Sequence, residues 1–219
     1  MENIFLNIDH VSTKKKNSKF GNWVVKITTV ILGLISLYYL LMRAFPFLIV
    51  SKDIYGPYYF PRAVWIWPHV LGGVLVMVLG PFQFLPSIRI KYPQFHRLTG
   101  YIFLISVLIS ALALIFLIST SSSNLVIDVG LGIGGVVWLV TAFLAYIAIK
   151  NRKIEQHREW MVRCYMVTLA FVLFRVVIDV LSYLKVTNEP NIVALASWIS
   201  WTVPLFITEV VLQVRKIIE

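Results

Sequence analysis

Six apolar stretches of about twenty residues follow one another along the chain, at approximately 23–44, 63–85, 100–118, 125–149, 160–184 and 192–214. Each has the length a helix needs to cross a bilayer core roughly 30 Å thick. The pattern predicts an all-α polytopic membrane protein, a bundle of six transmembrane helices joined by short connections. No soluble insert is long enough to build its own core. The expected division is a polar, basic tail over 1–22 and one transmembrane domain over 23–216.

Polar positions inside these stretches are ordered. On the fifth, His157, Cys164, Thr168, Arg175 and Asp179 recur at spacings of 7, 4, 7 and 4. At 100° per residue they stay within a wedge of about 60°, so one unbroken helix would carry them as a single stripe. An ionisable group at the lipid midplane costs roughly 3 kcal/mol, so this stripe must face protein or water. On the second stretch, His69, Gly73, Val76, Gly80 and Gln83 share a face at spacings of 4, 3, 4 and 3. Two glycines on that face predict a close-packed neighbour. The glycines Gly130, Gly132, Gly134 and Gly135 of the fourth stretch read in the same way.

Charge sets the orientation. Arg89, Lys91 and Arg97 lie between stretches two and three, Lys150, Arg152, Lys153 and Arg158 between four and five, and Arg215 and Lys216 after six. The alternate connections hold few cations, Lys52, Arg62 and Lys185. The positive-inside rule then puts both termini in the cytoplasm, with Lys14, Lys15, Lys16 and Lys19 preceding an uncleaved first helix. Tyr55, Tyr58, Tyr59, Phe60, Trp65, Trp67 and Trp198 read as an aromatic belt on the far surface.

Composition agrees with the pattern. Hydrophobic residues make up 59% of the 219 positions and charged residues 14%, outside the range of soluble domains. The net charge of +10 sits beside apolar spans rather than in a basic domain, which argues for membrane topology and against nucleic acid. Cys164 is the single cysteine, so an internal disulfide and a Cys-rich metal cluster are both excluded. No serine shares a depth with a supporting His and Asp, and no HExxH motif occurs, which argues against a membrane hydrolase. Ser106 and Ser110 read as small packing residues or helix back-bonders.

Depth sorts the polar residues into two clusters. The outer one holds His69, Arg175 and Asp179, with Trp201 from the sixth helix; Arg175 and Asp179, one turn apart, form an intrahelical ion pair in the simplest reading. The inner one holds Gln83, Arg89, His96, Arg97, His157, Arg158, Arg163 and Glu209, with Arg163 placed to neutralise Glu209. His96 and His157 each precede an arginine at a cytoplasmic helix end. Two such imidazoles have the chemistry to ligate one haem iron or another metal, with Arg97 and Arg158 on the haem propionates. The simpler reading of the same His-Arg pairs is contact with anionic lipid phosphates. These helices, two, three, five and six, are expected to face a common centre.

The strings GPFQF (80–84), HRLTGYIF (96–103) and HREWMVRCY (157–165) together resemble a family of bacterial predicted membrane proteins. The resemblance implies a small multi-pass protein of the bacterial cytoplasmic, or inner, membrane and carries no reaction, substrate or catalytic residue. A broader architectural similarity is to six-helix membrane proteins of the cytochrome b561 and ferric reductase type, in which histidine pairs hold haems. Two haems there need four histidines and the membrane region here has three, so this similarity implies at most one haem b, through His96 and His157. Three functions follow as expectations: a redox protein with one haem b and a quinone or redox partner, a transporter or lipid-handling protein with a polar intramembrane path, and a structural assembly factor.

Overall fold

A computed structural model describes residues 19–121 and 124–218. The basic run Lys14, Lys15 and Lys16 lies outside the described residues. The chain divides into two compact units, Met1–Leu37 and Tyr38–Glu219. Helix α1 (Lys19–Tyr39) begins four residues before the apolar stretch and supplies the described part of the first unit up to Leu37. Its outward residues Val30, Leu34 and Leu37 are apolar and exposed, as suits contact with lipid.

The second unit opens with a π-helical turn (Leu40–Ala44) and a 3-10 turn (Phe45–Leu48) around Pro46. A short helix α2 (Lys52–Tyr59) follows, capped by the Ser51 hydroxyl on the Ile54 amide at 3.2 Å. It is broken at Gly56, whose φ of 63° and ψ of 177° a β-carbon would oppose. After a 3-10 turn (Phe60–Arg62) come α3 (Ala63–Phe84), α4 (Pro86–Lys91), α5 (Pro93–Ser119), α6 (Leu125–Lys150), α7 (Ile154–Thr168), α8 (Ala170–Tyr183) and α9 (Glu189–Ile218). No strand occurs among the described residues, and six helical segments are long and apolar enough to cross a membrane.

Within this unit α3 packs on α5 and α7, while α6 packs on α5, α7 and α9. The expected ring of spans two, three, five and six is therefore corrected: span four, α6, is central, with Trp138 only 3% exposed. Lipid offers no hydrophobic gain for helix association, so packing itself has to hold these helices together. Small residues make it close. A β-carbon on Gly72 would lie 2.7 Å from the Ser106 carbonyl, and one on Gly73 or Gly80 would run into the ring of Phe171 or of Tyr165. Along the face of His69, Gly73, Val76, Gly80 and Gln83, the two glycines thus meet α8 and α7, while His69 and Gln83 reach Ser110 and Thr99 of α5.

The fifth span is perturbed at Leu169, between α7 and α8, although that residue keeps helical dihedrals. Just before it the Thr168 hydroxyl donates back to the Cys164 carbonyl at 2.9 Å while accepting the Trp138 indole N–H at 2.9 Å. Such back-bonding competes with the helical ladder and bends it. The single stripe is corrected accordingly: Cys164 and Thr168 are fully buried in the core, and Arg175 and Asp179 are exposed.

Candidate functional site

The connection Ser119 to Asn124 marks one end of the second unit, here the 120 end, and the α6–α7 connection marks the 150 end. A cavity of about 760 Å³ opens toward the 120 end between α3, α6, α8 and α9. Its volume falls in the range of about 300–1,000 Å³ that suits a small organic ligand. Arg43, Arg62 and Arg175 lie on its wall, with Asp128 as the carboxylate, and Trp138, Phe171 and Trp201 supply apolar surface.

His69 is fixed from behind. Its Nδ1 lies 2.9 Å from the Ser110 carbonyl oxygen, and the Ser110 hydroxyl donates to the His69 carbonyl at 2.7 Å. A carbonyl only accepts, so Nδ1 carries the proton and Nε2 keeps a lone pair. The ring lies nearly parallel to Phe171, 5.0 Å between centroids. Ser110 therefore bonds across to α3, and its reading as a helix back-bonder is corrected.

The outer ion pair is corrected as well. Asp179 accepts the Tyr39 hydroxyl at 2.7 Å and lies 3.8 Å from Arg43. Arg175 has no carboxylate partner among the described residues; its guanidinium lies over the Phe174 ring at 5.6 Å. His69, Arg175 and Trp201 line one cavity as the depth argument expects, whereas Asp179 is held away on Tyr39. Arg62 donates to the Thr120 carbonyl and stacks on Tyr58 at 4.3 Å.

At the 150 end the predicted cluster resolves into separate contacts. Arg163 donates from Nε to Glu209 at 2.8 Å and reaches Glu159 at 3.4 Å, and Lys216 closes on Glu159 at 2.8 Å. This network ties α7 to α9. Arg158 pairs locally with Glu155 at 2.9 Å. Arg97 is exposed. Gln83 is buried, donating to Thr99 at 2.7 Å. His157 places Nδ1 2.9 Å from the Ala145 carbonyl, and the buried Nδ1 of His96 has no hydrogen-bond partner. His157 and Arg89 are each within electrostatic reach of His96. Among the described residues no three His, Cys, Asp or Glu side chains gather as a metal site.

Sequence reasoning missed Tyr39, Arg43, Arg62, Trp138 and Ser200. Arg43 and Arg62 carried a usable signal, cations at the ends of apolar stretches on the side otherwise poor in charge. Ser200 carried none, since a serine in an apolar helix usually bonds its own backbone.

Helical throughout its described residues, with six membrane-length spans and a largely apolar cavity among them, the chain is a polytopic membrane protein. Residues 66–212 match the family described as Predicted membrane protein (DUF2306), and the chain belongs to that family. Comparison with curated proteins and with solved structures finds no match in either.

Proposed function

We propose that the protein binds an acid-bearing amphiphile in the cavity at the 120 end, as a carrier or lipid-handling protein. The observation that carries this reading is the unpaired Arg175 on an apolar cavity wall. Arg175 is exposed, yet it stands on a membrane-spanning helix, where an ionisable side chain ordinarily pairs with another group. Here the carboxylate one turn away is engaged by Tyr39 and Arg43, so Arg175 is left for an anion from outside the chain. A guanidinium is suited to carboxylate and phosphate because its planar fork donates two parallel hydrogen bonds. The charge alternation supports both termini in the cytoplasm of a bacterium, with the cavity mouth toward the far leaflet of the inner membrane and anionic lipids against the basic 150 end.

The test is bromolaurate binding in nanodiscs, read by quenching of the cavity tryptophans Trp138 and Trp201. Saturable quenching that Arg175→Ala weakens at least fivefold and Arg175→Lys partly restores supports the reading. Quenching equal in wild type and Arg175→Ala contradicts it.

A second reading, a redox protein with one haem b, is supported by the Nδ1 contact of His157 with Ala145, which leaves Nε2 as a free ligand, and by the orphaned Nδ1 of His96. His96 and His157 would be the axial ligands of that iron, or would hold another metal, and the bound group would supply one-electron transfer to a quinone or redox partner. The local packing of Gln83 on Thr99 beside His96 leaves the macrocycle to be accommodated outside the α3–α5 contact. Protein purified from a haem-replete host would show a Soret band that His157→Ala removes; colourless protein would eliminate the haem.

A further inference from the structure

The hydroxyl groups of α9 differ from one another in a way that points to a ligand. Ser197, Thr202 and Thr208 each donate to a carbonyl of their own helix, at 2.7 Å in all three cases. Ser200 does not. Its Oγ is buried without a hydrogen-bond partner, the residue is 1% exposed, and it lines the cavity. Pro204, one turn later, also removes the backbone N–H that the Ser200 carbonyl would otherwise receive. A buried hydroxyl left unpaired is costly, so the polarity of this spot is explained by something that enters the cavity.

On α3, His69 presents the complementary group. With Nδ1–H committed to Ser110, its Nε2 accepts a hydrogen bond and has no partner among the described residues. The tryptophans that line the same cavity are already satisfied: the Trp138 indole donates to Thr168, and the Trp201 indole to Gly130 at 3.1 Å and Ser197 at 3.0 Å. They offer ring faces and no further donor. The cavity lining therefore offers an acceptor and a hydroxyl besides its aromatic rings.

Arg175 stands one turn from this level. Phe171, stacked on His69, is four residues before Arg175 on α8, an axial rise of about 6 Å. That separation matches the two ends of a para-substituted benzene ring, and a rigid ring enters with little loss of conformational freedom.

We infer that the ligand is a phenolic acid, whose hydroxyl meets His69 Nε2 and Ser200 Oγ, whose ring lies among Trp138, Phe171 and Trp201, and whose acid group meets Arg175. The inference rests on the reading of the cavity as an anion site and adds the chemistry of the opposite end.

Calorimetric titration of the full chain in nanodiscs with 3-(4-hydroxyphenyl)propionate and with 3-phenylpropionate separates the two statements. The hydroxylated acid binds roughly tenfold tighter, as one buried hydrogen bond implies. Ser200→Ala abolishes this preference, and Arg175→Ala weakens both acids alike. Equal affinity of the two acids for the wild type overturns the phenolic inference while leaving the anion site standing if Arg175→Ala still weakens both. A preference that survives both Ser200→Ala and His69→Phe also overturns it. Absence of binding by either acid, together with absence of bromolaurate quenching, overturns both statements.

Discussion

Arg175 draws its availability from a contact elsewhere. The Tyr39 hydroxyl and Arg43 hold Asp179, which would otherwise be the natural partner one turn along α8. Tyr39→Phe is therefore expected to do two things. It lowers stability by about 1 kcal/mol through the lost hydrogen bond, and it weakens bromolaurate binding severalfold as Asp179 turns toward Arg175. A chemical unfolding curve and the quenching titration check these separately. Asp179→Asn removes the competing charge, so anion affinity is retained or improved even though stability falls.

How much of this was legible in the sequence depends on the residue. His69 and Arg175 were brought together by depth alone, because topology fixes the level of each residue on a spanning helix. The Arg163–Glu209 pair followed from the same reasoning. The partner of Asp179 was hidden, since an i,i+4 carboxylate is the nearest cation partner in sequence and nothing in the spacing points to a tyrosine 140 residues away. The orphaned Ser200 was hidden for a different reason: satisfaction of a hydroxyl is a property of the folded neighbourhood.

At the level of elements, glycine spacing was the informative signal. Gly72, Gly73 and Gly80 let α3 approach its neighbours so closely that an added methyl meets the Ser106 backbone of α5 or the rings of Phe171 on α8 and Tyr165 on α7. Gly72→Ala confronts the backbone carbonyl of Ser106 at 2.7 Å and is expected to cost about 1–3 kcal/mol. Gly132→Ala is the contrast. Its nearest neighbour is 3.9 Å away, so the substitution is tolerated or gains up to about 1 kcal/mol from helix propensity. Thermal melts of the two variants in the same detergent decide the matter. The α7–α9 tie is testable in the same manner: a double-mutant cycle on Arg163→Ala and Glu209→Ala should give a coupling of about 1 kcal/mol, since Glu209 is 43% exposed. Periodicity also misled at this scale. It treats the polar positions of 157–184 as one buried stripe, whereas Cys164 and Thr168 are buried and Arg175 and Asp179 are exposed.

For the whole molecule, apolar length and charge alternation gave the class of protein and the number of spans. They left out the centrality of α6, because its buried face is made of glycine, alanine and a tryptophan rather than of conspicuous polar residues. The orientation is open to a direct check, helped by the fact that Cys164 is buried and gives little background. A cysteine introduced at Thr120 should react with an impermeant maleimide added outside intact cells. One introduced at Asn151 should react after the membrane is opened. The reverse pattern would invert the topology and place the cavity mouth in the cytoplasm.

The location of the ligand is what joins these scales, and photolabelling measures it. A diazirine-bearing fatty acid, irradiated with the full chain in nanodiscs and mapped by mass spectrometry, is predicted to label the cavity walls around His69, Trp138 and Phe171. Arg175→Ala and excess laurate should both suppress that labelling. Labelling confined to lipid-facing positions such as Val30 and Phe206, indifferent to Arg175→Ala, would contradict the account.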